Sequence, residues 1–195
     1  MNILVINGHP NVDSLNTVLA QTYIKTAKAL GATVKYLAIG ELSFNPNLAY
    51  GYKKRIDLEP DLQQALEDLY WSTHQVWIYP MWWLGMPAIM KGFFDRLFLP
   101  GLTFKHHSSG ETEGLLIGKT ARIITTMGDL SPHIHQELYQ SGGTIQLQKG
   151  ILAYCGVTIN EIEEYGPLNN FDENDIKKLL LHLKSLAKQD IEQHL

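Results

Sequence analysis

A chain of 195 residues, 45% apolar and 18% charged, is long enough to bury a sizeable core and too apolar to be disordered. A net charge of −4 with no basic stripe excludes nucleic acid as the main partner. The single cysteine, Cys155, cannot form an internal disulfide, which suits a reducing cytoplasm, and no apolar run reaches the length of a signal core or membrane span. The expectation is one cytoplasmic domain over residues 1–195 with no direct membrane insertion.

Ile3-Leu4-Val5-Ile6 reads as a parallel strand covered on both faces, ending in the turn-formers Asn7-Gly8-His9-Pro10-Asn11. Asp13 or Ser14 can cap the next helix, with Leu15, Val18, Leu19, Thr22 and Ala29 on its apolar face and Gly31 as its stop. Thr33 to Ile39 is a second strand, and a polar excursion from Gly40 to Pro60 leads into a helix over Leu62 to Trp71. Gln75 to Tyr79 is a third strand, ended by Pro80, which cannot donate to the ladder. Pro87 opens a helix running to Leu97, and Pro100-Gly101 closes it.

Leu102 to Lys119 reads as an irregular connection, Thr120 to Thr126 as the fourth strand and Met127 to Gly143 as a loop. A helical stretch over Gln146 to Tyr154, a fifth strand over Val157 to Ile162 and an amphipathic helix over Asp175 to Gln193 complete the chain. This alternation predicts an α/β fold, a doubly wound parallel sheet with helices on both faces.

In such a sheet the loops after the strands open on one side, where ligands bind. Three of them carry chemistry. His9, Ser14, Leu15 and Asn16 bring side-chain donors and a helix N-terminus, which suit a phosphate. Pro80, Met81, Trp82, Trp83, Leu84 and Gly85 offer a flat aromatic wall. Thr125, Thr126, Met127 and Gly128 supply hydroxyls and backbone donors for a polar ring edge. A phosphate seat, a wall and a polar edge together match a flavin. No Gly-x-Gly-x-x-Gly follows the first strand, and Gly114 to Thr120 is one residue short of a P-loop and precedes its strand.

The segment Pro80-Met81-Trp82-Trp83-Leu84-Gly85-Met86-Pro87-Ala88, continued by Lys91-Gly92-Phe93-Phe94-Asp95-Arg96, resembles the flavin loop and following helix of the NAD(P)H:quinone oxidoreductases. Gly8-His9-Pro10 with Ser14-Leu15-Asn16 is similar to their phosphate loop, and Thr125 to Gly128 to their third flavin loop. The resemblance implies a flavodoxin-like, five-stranded parallel sheet in the order 2-1-3-4-5. It also implies a homodimer with active sites at the subunit boundary, in which Phe104 and His106 reach across to roof the substrate. The implied activity is ping-pong hydride transfer from NAD(P)H through flavin to a quinone, nitroaromatic or azo acceptor. The mammalian-like central motif leans to FAD, and the short chain leaves FMN open. Relatives that gate potassium efflux systems make a regulatory subunit one alternative; a flavodoxin-like electron carrier is another.

The protein's part in such chemistry is to orient the cofactor and manage protons. His133, His135 and His106 are the candidate donors toward an acceptor, against the plainer reading of His133-x-His135 as a solvated loop. No metal is expected, because neither His106-His107 nor His133-x-His135 has a carboxylate or cysteine at ligand spacing.

Overall fold

The computed structural model describes residues 1–193. Strands β1 (Asn2–Asn7), β2 (Thr33–Ala38) and β3 (His74–Pro80) alternate with helices α1 (Leu15–Ala29) and α2 (Pro60–Trp71). After helix α3 (Ala88–Leu97) come the short strands β4 (Phe104–His106) and β5 (Thr112–Gly114), then β6 (Thr120–Thr126). Helices α4 (Pro132–Tyr139) and α5 (Gly142–Ile145) lead into a π-helical stretch over Gln146–Ala153, followed by β7 (Thr158–Tyr165) and helix α6 (Glu173–Glu192).

The main sheet has the order β2-β1-β3-β6-β7, and every pairing in it is parallel. That is the expected 2-1-3-4-5 once the separate β4–β5 ribbon is set aside. The pleat divides each strand between two cores. Leu4 and Ile6 face α2, α3 and the π-helical stretch, while Ile3 and Val5 face α1 and α6. β1 pairs with β2 on one side and β3 on the other, so the chain switches direction across the sheet between β1 and β3. The loops after β1 and β3 therefore part at that crevice and leave room for a ligand.

Three local expectations are corrected. The buried face of α1 is carried by Leu19, Ala20, Tyr23, Ile24 and Ala27, while Val18 and Ala29 are exposed, because α1 turns that face toward both the sheet and α6. Leu102 to Lys119 holds the antiparallel β4–β5 ribbon, tied by the Lys105–Glu113 ion pair and a His106 Nδ1 to Thr112 Oγ1 contact of 2.9 Å. Met127 to Gly143 contains α4, where Ser131 caps the first turn by accepting from the Ile134 N–H and Pro132 occupies the first turn. No helix among the described residues is long and apolar enough to cross a membrane.

A buried polar knot ties α6 and α1 to the sheet. Arg122 donates to Asp190 through Nε at 2.8 Å and Nη2 at 2.7 Å, and the Tyr23 hydroxyl donates to the same carboxylate at 2.8 Å. Burial pushes the Asp190 carboxyl up, but hydrogen bonds from His74 and Arg122 outweigh it and hold the group well below the usual carboxylate range. A carboxyl with a depressed folded value stabilises the fold above its unfolded value, about 4, and that stability is lost as pH falls further. We expect Asp190→Ala to cost about 3–5 kcal/mol in urea unfolding, because among the described residues it leaves the buried Arg122 charge only its 3.3 Å contact with Glu163. Between about pH 5 and 2, the wild type loses stability more steeply than the variant. A cost under 1 kcal/mol, or parallel pH profiles, would contradict this account.

Candidate functional site

The three loops converge on one rim. The Met81 N–H, just past β3, donates to the Thr126 carbonyl at 2.8 Å, and the Thr126 hydroxyl donates to Asn16 Oδ1 at 3.0 Å. The His9 ring meets Trp82 edge-on at 5.6 Å between centroids. Each loop thus touches the other two.

In the first loop, Asn7 at the end of β1 organises the backbone: its Oδ1 accepts from the His9 N–H, and its Nδ2 donates to Thr17 Oγ1 and the Tyr36 hydroxyl. His9 Nδ1 lies 2.9 Å from the Asn11 N–H and 3.0 Å from the Asn11 carbonyl, which pins the ring to the loop, and burial pushes the His9 value down and favours the neutral form. Ser14 caps α1 by accepting from the Thr17 N–H, and Leu15 begins the helix. Asn16 follows, 3% exposed, and its Nδ2 has no hydrogen-bond partner among the described residues. An unpaired buried amide costs about 1–3 kcal/mol. Beside first-turn N–H groups that no helical carbonyl can reach, it fits a site that receives acceptor oxygens.

Pro80 is the last residue of β3 and Met81 is buried behind the wall. Trp82, Trp83, Leu84 and Gly85 make a tight turn closed both ways: the Trp82 N–H donates to the Gly85 carbonyl at 2.9 Å and the Gly85 N–H to the Trp82 carbonyl at 3.0 Å. Its two central residues, Trp83 and Leu84, have φ of 52° and 56°. Left-handed backbone at two side-chain-bearing residues costs roughly 1–2 kcal/mol each, and such strain gathers at ligand sites. The turn leaves Trp82 half-exposed and Trp83 fully exposed.

In the third loop Thr125, Thr126 and Met127 are buried, and Thr125 Oγ1 also lacks a partner among the described residues. Met81, Trp82, Leu84, Met127, Gly128 and Tyr139 line a cleft of about 610 Å³, room for a flat tricyclic ring. Tyr139 went unnoticed in the sequence because its reach to the cleft depends on α4. Ser131-Pro132 at the start of that helix is the signal that could have revealed it.

The candidate proton donors separate. His135 is fully buried: Nδ1 lies 2.9 Å from Glu164 Oε1, and Nε2 accepts from the Gly143 N–H at 3.0 Å. With both nitrogens occupied it cannot serve an acceptor in the cleft, and its role as a donor is withdrawn. It holds the turn between α4 and α5 under the wall. Gly143 lets Met81 pack directly onto this turn, since a Cβ would meet Met81 Sδ. His133 is exposed on α4, 3.3 Å from Glu137. Phe104 and His106 lie on the β4–β5 ribbon and line a second trough of about 730 Å³ rather than the cleft. No cluster of metal-ligating side chains exists among the described residues.

The comparisons agree with this geometry. A family model described as flavodoxin-like fold matches residues 1–187. A Haemophilus influenzae protein named an uncharacterized NAD(P)H oxidoreductase is 29% identical over 92% of this chain and 91% of its own. The FMN-dependent NADH:quinone oxidoreductase 2 of Pseudomonas fluorescens is 27% identical over 90% of this chain and 93% of its own. The crystal structure of Smu.1420 from Streptococcus mutans superposes with a TM-score of 0.78 at 27% identity, covering 97% of this chain and all of that one. The chain belongs to the flavodoxin-like fold family, in its NAD(P)H:quinone oxidoreductase group.

Proposed function

We propose that the protein is an FMN-dependent NAD(P)H oxidoreductase of quinones or related acceptors, working as a homodimer. The observation that carries this reading is the unpartnered, buried Asn16 amide at the start of α1, set on the same rim as the strained Trp82–Gly85 turn. FMN, rather than the FAD to which the central motif leans, is the flavin this reading assigns. The site offers one phosphate seat, and the Pseudomonas fluorescens relative is named FMN-dependent.

When bound, the flavin would supply the two-electron redox chemistry between NAD(P)H and the acceptor. The chain's residues bind and orient it. Asn16 Nδ2, the first-turn N–H groups of α1 and the His9 ring would hold the phosphate. Trp82 and Leu84 form the wall, while Thr126 and Gly128 border the polar edge of the ring.

In the dimer, Phe104 and His106 of one protomer roof the acceptor in the other's site. Thr112 Oγ1 holds His106 Nδ1 at 2.9 Å, leaving Nε2 as the nitrogen that donates a proton to an acceptor oxygen.

The purified protein should carry a flavin visible spectrum and release FMN on denaturation, and anaerobic NADH or NADPH should bleach it within seconds. No bleaching by either donor would sink the assignment. Trp82→Ala should weaken FMN retention about tenfold relative to Trp71→Ala, a difference of about 1.4 kcal/mol. Trp71 sits at the far end of the sheet, its carbonyl accepting from Asn2 Nδ2, so equal retention in the two variants would argue against the wall.

A further inference from the structure

Two cavities outside the cleft lie side by side. The 730 Å³ trough that holds Phe104 and His106 shares Tyr52 and Pro100 with a 230 Å³ pocket lined by Lys54 and Arg55. The smaller pocket belongs to the excursion between β2 and α2, a segment with no strand or α-helix of its own through residues 42–59. It is nonetheless held in place. Arg96 on α3, 1% exposed, donates to the Asp57 carbonyl at 3.1 Å and forks onto Glu59 at 3.0 and 2.8 Å. Arg55 Nη1 donates to the Pro100 carbonyl at 3.2 Å, fixing the tip to the floor of the trough. The Lys54 ammonium lies 4.9 Å from the Tyr50 ring.

The tip carries Lys53-Lys54-Arg55, a run of three cations in a chain of net charge −4. The lysine and arginine ion pairs among the described residues use Lys35, Lys91, Arg96, Lys105, Arg122, Lys178 and Lys188, and none uses these three. The one carboxylate lining the trough, Asp95, is 2.6 Å from the Lys91 ammonium. Uncompensated positive charge in a concave pocket draws an anion, and a planar guanidinium suits a phosphate. At 230 Å³ the pocket has room for a phosphate and its sugar but not for a whole dinucleotide. Its place beside the trough of Phe104 and His106 suits a ligand that is anionic at one end and aromatic at the other.

We propose that Lys54 and Arg55 seat the 2′-phosphate of NADPH, with the adenine against the exposed Tyr52 ring, and that this seat makes the protein select NADPH over NADH. The proposal rests on the oxidoreductase reading, because that reading puts a nicotinamide dinucleotide under Phe104 and His106. NADH has a hydroxyl where NADPH carries this phosphate, so the seat discriminates between them without touching the reacting ring. Tyr52 supplies stacking surface that both dinucleotides use equally.

The direct test measures nucleotide binding by calorimetry to the FMN-loaded protein, with 2′,5′-ADP and 5′-AMP as probes, neither of which can be oxidised. The wild type should bind 2′,5′-ADP at least tenfold tighter than 5′-AMP, and the preference should shrink with added salt. Lys54→Gln/Arg55→Gln should bring the two affinities together, and Lys184→Gln on α6 should leave them unchanged. Should the double variant lose its thermal transition, Lys54→Gln alone, which gives up only the Tyr50 ring contact, should remove at least half of the preference in log units. In turnover, the double variant should raise the ratio of KM for NADPH to KM for NADH about tenfold.

Equal binding of the two probes to the wild type, or a preference that survives the substitutions, overturns the seat. Failure of both donors to bleach the flavin would instead remove the oxidoreductase reading, whatever the probes show.

Discussion

Thr126 is the residue through which the rim is tied together. Its carbonyl accepts from Met81, its hydroxyl donates to Asn16, and it ends β6 beside Pro80 on one side and Tyr165 on the other. Sheet register fixes where Thr126 stands, and its two hydrogen bonds then fix where the flavin wall and the start of α1 stand relative to each other. The chemistry of the loops is thereby borrowed from the rigidity of parallel strands. Asn16 gives up its amide oxygen to this tie, and its Nδ2 has no partner among the described residues.

Below the rim, a second layer holds the wall in a conformation its own residues disfavour. Trp83 and Leu84 are held left-handed with neither a glycine nor an asparagine between them. The turn stands on buried Met81, and Met81 stands on the Gly143 turn, which His135 and the Tyr79 hydroxyl both engage. His135 is in turn oriented by Glu164 on β7. The strained tip, closed by its own cross-turn hydrogen bonds, thus rests on a layer fixed by buried hydrogen bonds.

The alternation of strands and helices and the meeting of three loops were legible because they rest on apolar runs and turn residues that act locally, whereas the sheet order followed only from the family resemblance. Ile3 to Ile6 and Gln75 to Tyr79 can be little else than covered strands. What the sequence hid was set by tertiary partners. The burial of His135 depends on Glu164, 29 residues away on another strand, so a polar loop reading was natural. The left-handed turn contradicts the propensities of tryptophan and leucine and is imposed by its cross-turn hydrogen bonds. The β4–β5 ribbon is too short and too polar for a period-two signal to stand out. Arg96 read as one residue of a motif, yet it is the clamp that holds the excursion, because its acceptors lie 37 to 51 residues away.

The central claim is that Asn16, Trp82 and Thr126 face one ligand together. The most direct measurement is a nitrogen–proton NMR titration of the apoprotein with FMN. The Asn16 side-chain amide, the Trp82 indole and the backbone amides of Thr126 and Gly128 should shift together at one equivalent per chain, with the Trp71 indole unmoved. An Asn16 side-chain amide that stays in place while FMN binds, or shifts confined to the Phe104–His106 trough, would contradict the account.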